Sequence, residues 1–83
     1  MDDGDVYEFL RATFVDVFGR DDIRPHPGLT AADVIGWDSF RHVEIILALE
    51  AQYGIRIRAR EANSAATLGE LVALVVRKCL ARP

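Results

Sequence analysis

The sequence predicts an all-α protein, a small four-helix bundle of three main helices and one short helix, with a long loop between the first two. Apolar residues recur at helical spacing in three segments, and residues that favour helix ends flank those segments. Only residues 55–58 alternate clearly with a period of two, which is too short for a sheet. The 83 residues, 51% hydrophobic and 28% charged, predict one domain over residues 1–83.

The first helix is expected from about Asp5 to Phe18. Apolar side chains at positions 6, 10, 14, 17 and 18 share one face, with polar residues between them. Gly19 follows, and glycine commonly ends a helix. The pattern therefore predicts an amphipathic helix with one buried face.

Residues 19–37 are predicted to form one loop, because prolines and glycines interrupt them repeatedly. Loops of this length are uncommon in small domains unless they pack as a unit or carry function. Residues 30–33 are expected to form a single helical turn. Four apolar side chains are expected to tether the loop to the helices: Ile23, Leu29, Val34 and Ile35.

The second helix is predicted to follow Asp38, a favourable N-cap residue, and to end at Tyr53 before Gly54. The residues expected to mark its periodic face are Phe40, Val43, Ile46, Leu47 and Glu50.

The remaining chain predicts an extended segment and two further helices. In residues 55–58 the two isoleucines are expected to face the core and the two arginines to face water. A short helix is expected from Glu61 to Ala66. Residues 67–70, Thr-Leu-Gly-Glu, match a capping box that begins a last helix ending near Leu80. Cys79 lies on the apolar face of that helix and is expected to be a core thiol.

Charge and composition exclude several classes of function. The net charge is −3, from −7 in residues 1–50 and +4 in residues 51–83, and an acidic protein is a poor partner for nucleic acid. Arg56, Arg58 and Arg60 have no aromatic residues between them and are interpreted as a solvated edge. The apolar runs are too short to span a membrane, which predicts no membrane partner. One cysteine and two histidines provide neither a disulfide nor a typical metal site.

The acidic start of the chain, residues 1–5, lacks the basic residues of a secretory signal, which predicts a cytoplasmic protein. The short terminal segments favour a freestanding protein.

The most informative stretch is residues 36–40, Gly-Trp-Asp-Ser-Phe, where a serine follows the long loop in the first turn of a helix. Serine is common there for capping alone, although the positive end of a helix also favours a phosphate. The stretch resembles the Asp-Ser-Leu signature of acyl carrier proteins, a phosphopantetheine-binding carrier family, with Phe40 in place of leucine. The resemblance continues through residues 45–50, 53–57 and 67–71, and it covers about residues 6–80.

The resemblance implies a carrier that is not an enzyme. A phosphopantetheinyl transferase would move 4'-phosphopantetheine from coenzyme A to Ser39, and the arm would carry acyl groups as thioesters between acyl-loading and acyl-processing enzymes. Asp38 would help the transferase to recognise the serine. The residues expected to contact partner enzymes are Phe40, Arg41 and Glu44. The candidates to line an acyl cleft are Val43, Leu47 and Ile57. The carrier is expected to be a monomer.

Other functions remain open beside the acyl carrier. A peptidyl or aminoacyl carrier usually has two glycines before its motif, whereas Trp37 replaces the second one here. A helical interaction module whose serine is never modified is a further alternative. Ser39, His42 and Asp38 suggest a hydrolytic triad, but the chain has no Gly-x-Ser-x-Gly turn.

Basic residues in and after the second helix, such as Arg41, reduce the negative charge near the serine. This reduction predicts a dedicated set of partners in a specialised fatty-acid or polyketide-type pathway.

Overall fold

The computed structural model describes residues 2–81 and is all-α over that range, as predicted. A single 3-10 turn, Ala31–Asp33, interrupts the long loop. The helices are α1 (Asp3–Phe18), α2 (Ser39–Tyr53), α3 (Ala59–Ser64) and α4 (Leu68–Ala81). The single-domain prediction includes Met1, Arg82 and Pro83, which lie outside the described residues.

Helix α1 begins two residues earlier than the sequence pattern predicted. The Asp5 backbone N–H donates to Asp2 Oδ1 at 3.1 Å, and the Asp2 N–H donates to Asp5 Oδ2 at 3.2 Å. This reciprocal cap satisfies backbone donors that would otherwise lack partners in the first turn. The apolar pattern starts only at Val6, so hydrophobic spacing alone missed the earlier start.

The core lies where α1 packs against both α2 and α4. Burying each large apolar side chain contributes about 1.5–3 kcal/mol to the free energy of unfolding, so the fully buried side chains dominate the stability of so small a chain. The largest fully buried side chains are Val6, Leu10, Phe14, Ile45, Leu49, Val72 and Val75.

Only part of the periodic face of α2 is buried, because Ile46 alone among its apolar residues lies in the core. Phe40, Val43 and Leu47 are 78%, 53% and 56% exposed, and the buried residues are Ile45, Ile46 and Leu49. Residues 43–49 are apolar around most of the helix, so spacing alone does not select one face. Packing against α1 selects it.

Three of the four predicted loop tethers are buried, namely Ile23, Leu29 and Val34, but Ile35 is 85% exposed. The Ile35 backbone holds the loop instead, because its carbonyl accepts a hydrogen bond from Arg20 Nη2 at 2.7 Å. The Arg20 guanidinium, just after the end of α1, therefore tethers this part of the loop in place of the Ile35 side chain.

The loop is also attached to the start of α4 by two backbone hydrogen bonds. Leu68 N–H donates to the Leu29 carbonyl at 2.8 Å, and Gly69 N–H donates to the Pro27 carbonyl at 2.9 Å. These bonds satisfy free donors at the helix N-terminus.

The predicted capping box at the start of α4 is present. Glu70 N–H donates to Thr67 Oγ1 at 3.3 Å, and Thr67 N–H donates to Glu70 Oε2 at 3.1 Å. Glu70 Oε2 also accepts from the Ala66 N–H. Because this carboxylate is used to begin the helix, it does not act as a free surface charge.

The segment after α2 matches its prediction, whereas α3 is shifted. Ile57 is buried and its N–H donates to Glu50 Oε2 at 2.7 Å. Helix α3 runs over Ala59–Ser64 rather than residues 61–66, because Glu61 Oε1 accepts the Arg58 N–H at 3.0 Å. A carboxylate that reaches back in this way occupies the third helical position, not the first.

We expect Gly69→Ala to lower the free energy of unfolding by about 1–2 kcal/mol. A Cβ at this position would lie 2.9 Å from the Pro27 carbonyl oxygen, which is backbone and must shift. Overpacking of this kind costs about 1–3 kcal/mol and exceeds the helix propensity gained, at most about 1 kcal/mol. Urea unfolding measures the difference.

Gly28→Ala is the matched control, because its Cβ would meet its nearest atom, His26 Nδ1, at 3.6 Å. Equal unfolding midpoints for Gly69→Ala and Gly28→Ala would show that the loop is not closely packed against α4 at Gly69.

We expect Glu61→Gln to reduce the loss of stability in acid. The pKa of Glu61 is lowered first by the Arg58 backbone N–H and then by Lys78, whose Nζ lies 3.0 Å from Oε2. The stabilisation is therefore complete above the usual value of 4.5 and is lost as the pH falls through the lower folded pKa. Urea midpoints measured from about pH 6 to pH 3 test this, and parallel curves for wild type and variant would contradict it.

Candidate functional site

The site is built on the first turn of α2, whose start is determined by Asp38. This residue is extended, with φ −113° and ψ −172°, and its Oδ1 accepts the Arg41 N–H at 2.9 Å. Its carbonyl accepts the His42 N–H at 2.9 Å. Ser39 is therefore the first helical residue, as the sequence predicted.

Ser39 is exposed and lies beside a groove of about 360 Å³. Residues from the 3-10 turn, the start of α2 and the end of α3 line this groove, which we call the serine groove. They are Ala31, Trp37, Asp38, Ser39, His42, Val43, Ala62, Asn63 and Ala65. The Ser39 residue is thus open to another protein, with space beside it for an attached group.

Trp37 packs inward against α1. Its ring centroid lies 5.5 Å from that of Phe14 and 5.7 Å from that of Phe18, both on α1. Its Nε1–H donates to His42 Nδ1 at 3.3 Å. The residue before the Asp-Ser pair is therefore held by α1 on one side and by α2 on the other.

The hydrogen bonds of Asp38 and His42 exclude the arrangement of a hydrolytic triad. In a triad the aspartate accepts from the Nδ1–H of histidine. Here the Asp38 carboxylate accepts from the Arg41 N–H, and His42 Nδ1 accepts from Trp37. An acceptor nitrogen carries no proton, so His42 Nδ1 has none to give to Asp38.

The predicted partner residues lie on the exposed side of α2. Phe40 is 78% exposed, and Arg41 Nη1 lies 2.9 Å from Glu44 Oε1 in an exposed ion pair. Glu50, farther along the same helix, accepts from the Ile57 N–H. Two of the acidic side chains of α2 are therefore already engaged.

The three residues predicted to line an acyl cleft differ in burial. Val43 lines the serine groove, Leu47 is 56% exposed, and Ile57 is buried in the core. Trp37 and His42 also line the serine groove, and sequence reasoning did not predict the hydrogen bond between them. Their separation by five positions, across a helix start, has no periodic signal that would have revealed the contact.

A second groove, of about 430 Å³, lies between α3 and α4 and includes none of residues 37–43. Its carboxylates are Glu61, paired with Lys78, and Glu70, which caps α4. We find no cluster of three or more metal-ligating side chains among residues 2–81. Over the same range, every helix is too short or too polar to cross a bilayer.

Comparison with known proteins gives a family match over most of the chain. A family model described as a phosphopantetheine attachment site matches residues 8–75, which include Ser39. The chain is 30% identical over 71 residues to the acyl carrier protein of Sinorhizobium fredii (strain NBRC 101917 / NGR234). It is equally similar to the acyl carrier protein AcpP of Rhizobium meliloti (strain 1021). Each alignment covers 86% of this chain and 91% of the relative.

We expect Asp38→Ala to destabilise the protein by about 0.5–2 kcal/mol, because the Arg41 N–H loses its acceptor. Asp38→Asn keeps a side-chain oxygen at the same place and is expected to retain most of that stability. Urea unfolding of the three proteins measures both effects. Equal losses of stability in Asp38→Ala and Asp38→Asn would mean that the negative charge of Asp38, rather than its hydrogen bond to the Arg41 N–H, stabilises the protein.

Proposed function

The chain belongs to the family of proteins with a phosphopantetheine attachment site, and on that premise we propose that Ser39 is the attachment residue. The protein is an acyl carrier protein, a non-catalytic carrier whose cofactor is 4'-phosphopantetheine. When bound, this group supplies a terminal thiol that holds an acyl group as a thioester.

The exposure of Ser39 at the start of α2 is the observation that carries this proposal. A transferase must reach the hydroxyl directly, so an accessible serine beside an open groove is required. The chain has one other serine, Ser64, whose hydroxyl donates to the Arg60 carbonyl at 2.8 Å inside α3. Ser64 is also exposed and also falls within the matched residues. Ser39 is the better candidate because it is the first residue of α2, where free N–H donors stabilise a phosphate, whereas the Ser64 hydroxyl is bonded within α3.

The surroundings of Ser39 also fit a phosphodiester. The first turn of a helix has free N–H donors and a positive dipole end, and both stabilise negative charge. The nearby Asp38 carboxylate would repel a phosphate, but it accepts the Arg41 N–H, which offsets part of its charge. The serine groove, at about 360 Å³, leaves space beside the attachment point.

We further propose that Asp38 contributes to recognition by a phosphopantetheinyl transferase, since it is exposed and its conformation is held by the Arg41 N–H. The same side of α2 would meet the acyl-loading and acyl-processing enzymes. Phe40 offers an exposed aromatic ring there, and Arg41 and Glu44 form a nearly neutral pair. These features support the assignment of all three residues to the partner surface.

The proposed setting is a specialised fatty-acid or polyketide-type pathway with dedicated enzymes. Glu44 is paired with Arg41, and Glu50 is used within the fold, so α2 offers little free negative charge to a basic partner. An apolar and aromatic contact through Phe40 fits such a surface better. The proposed carrier is a monomer in the cytoplasm, where coenzyme A is available, with neither nucleic acid nor membrane as partner.

We expect Ser39→Ala to abolish loading and to leave the fold intact. Wild type incubated with coenzyme A and a broad-specificity transferase is expected to gain the mass of one phosphopantetheine group, and Ser39→Ala none. Because Ser39 is exposed, its loss is expected to change stability by less than about 0.5 kcal/mol. Intact mass and far-ultraviolet circular dichroism measure the two effects.

Ser64→Ala is the matched control and is expected to load as wild type does. A gain of phosphopantetheine mass by the Ser39→Ala protein would show that another residue is the attachment site. A wild-type chain that gains no mass would favour an unmodified interaction module.

A further inference from the structure

We propose that the groove between α3 and α4 is a docking site for an acidic segment of a partner protein, whose carboxylates Arg60 and Arg77 bind. We call it the arginine groove, since both side chains line it. It shares only Ala65 with the serine groove, so the inference goes beyond the proposed function and does not require Ser39 to be modified.

One face of each helix builds the arginine groove, which measures about 430 Å³. On α3, Arg60 and Ser64 are one turn apart and line it together. On α4, the lining residues recur at the spacing of a single helix face and are Glu70, Ala73, Leu74 and Arg77. Leu74 is 7% exposed and forms an apolar floor with the small side chains of Ala65 and Ala73.

The two arginines lie at the same end of the groove. Lys78 Nζ lies 3.0 Å from Glu61 Oε2, and this ion pair joins α4 to α3. Arg77 directly precedes Lys78 and Arg60 directly precedes Glu61, so both arginines lie beside the joined position. Glu70 lies about two turns of α4 before Arg77, toward the other end. The groove therefore has a cationic end.

The carboxylates of the arginine groove are engaged, whereas its guanidinium groups are not. Glu61 pairs with Lys78, and Glu70 accepts backbone N–H groups at the start of α4. Arg60 and Arg77 are exposed, and neither forms an ion pair within the part of the chain that the structure describes. Each guanidinium is therefore free to bind a carboxylate of another protein through two parallel hydrogen bonds.

The surrounding surface also favours an anionic partner at this place. Residues 54–81 carry five basic and two acidic side chains, a net charge of +3, whereas residues 2–53 carry four basic and eleven acidic ones. Arg56 and Arg58 are exposed near the groove without lining it. This separation of charge steers an acidic partner toward α3 and α4 and away from the first half of the chain.

An acidic protein segment fits the groove better than a nucleic acid does. The lining residues include no aromatic side chain on which a base could stack. The apolar floor at Leu74 instead suits an aliphatic side chain. The occupant that matches both features is a segment in which carboxylates flank an aliphatic residue.

The test is an NMR titration of the isotopically labelled, unmodified protein with the peptide acetyl-Asp-Glu-Leu-Asp-Glu-amide. We expect the peptide to shift the backbone amide signals of Ala65, Ala73 and Leu74, and we expect added sodium chloride to weaken its binding. A peptide with lysine at each acidic position is expected to leave these three signals unchanged.

A pair of double variants separates the groove from general charge. Arg60→Gln/Arg77→Gln is expected to weaken binding of the acidic peptide by at least about 3-fold, since each exposed ion pair contributes about 1.5- to 5-fold. Arg56→Gln/Arg58→Gln removes the same charge from the same half of the chain and is expected to weaken binding by less than about 2-fold. All four side chains are exposed, so far-ultraviolet circular dichroism is expected to show an unchanged fold.

An acidic peptide that leaves the three amide signals unchanged would overturn the inference, and so would equal weakening by the two double variants. Tighter binding of single-stranded oligouridylate than of the peptide would overturn the assignment to a protein partner. Equal shifts with the same concentration of inorganic phosphate would show a simple anion effect and would overturn it too. Ser39→Ala is expected to bind the peptide as wild type does, so a failure of loading would contradict the proposed function alone.

Discussion

One hydrogen bond, from the Arg41 backbone N–H to the Asp38 carboxylate, determines where α2 begins, and the whole site depends on that start. It makes Ser39 the first helical residue, so the hydroxyl lies at the positive end of the helix and faces solvent. It also places His42 one turn later, where the ring meets Trp37. A start one residue later would rotate each of these side chains by about 100° around the helix axis.

The long loop brings Trp37 to this point because it is held at several separate places. Apolar burial of Ile23, Leu29 and Val34 stabilises the loop, and backbone contacts give it its shape. The Arg20 guanidinium holds the Ile35 carbonyl, and the first N–H groups of α4 hold the carbonyls of residues 27 and 29. A loop held in this way behaves as part of the scaffold, which lets it form one side of the serine groove.

The partner surface proposed for α2 follows from which face the core leaves uncovered. Phe40 and Leu47 remain exposed because α1 packs against the face that carries Ile45 and Leu49. Exposed apolar side chains grouped on one helix are typical of a protein interaction site. The acidic side chains of α2 are engaged, Glu44 with Arg41 and Glu50 with the Ile57 N–H. Partner choice on such a surface depends more on shape and apolar contact than on net charge.

The sequence by itself was sufficient for the helical class, the position of Ser39 and the cap at Asp38, because capping and helical spacing are local properties of a few neighbouring residues. It did not determine the buried face of α2, since residues 43–49 are apolar nearly all round and only the packing of α1 selects one side. Nor did it indicate that Ile35 would be exposed or that Trp37 would bond to His42. Those outcomes depend on contacts with α1 and between distant positions, which tertiary structure alone decides because no local pattern encodes the distance between two elements.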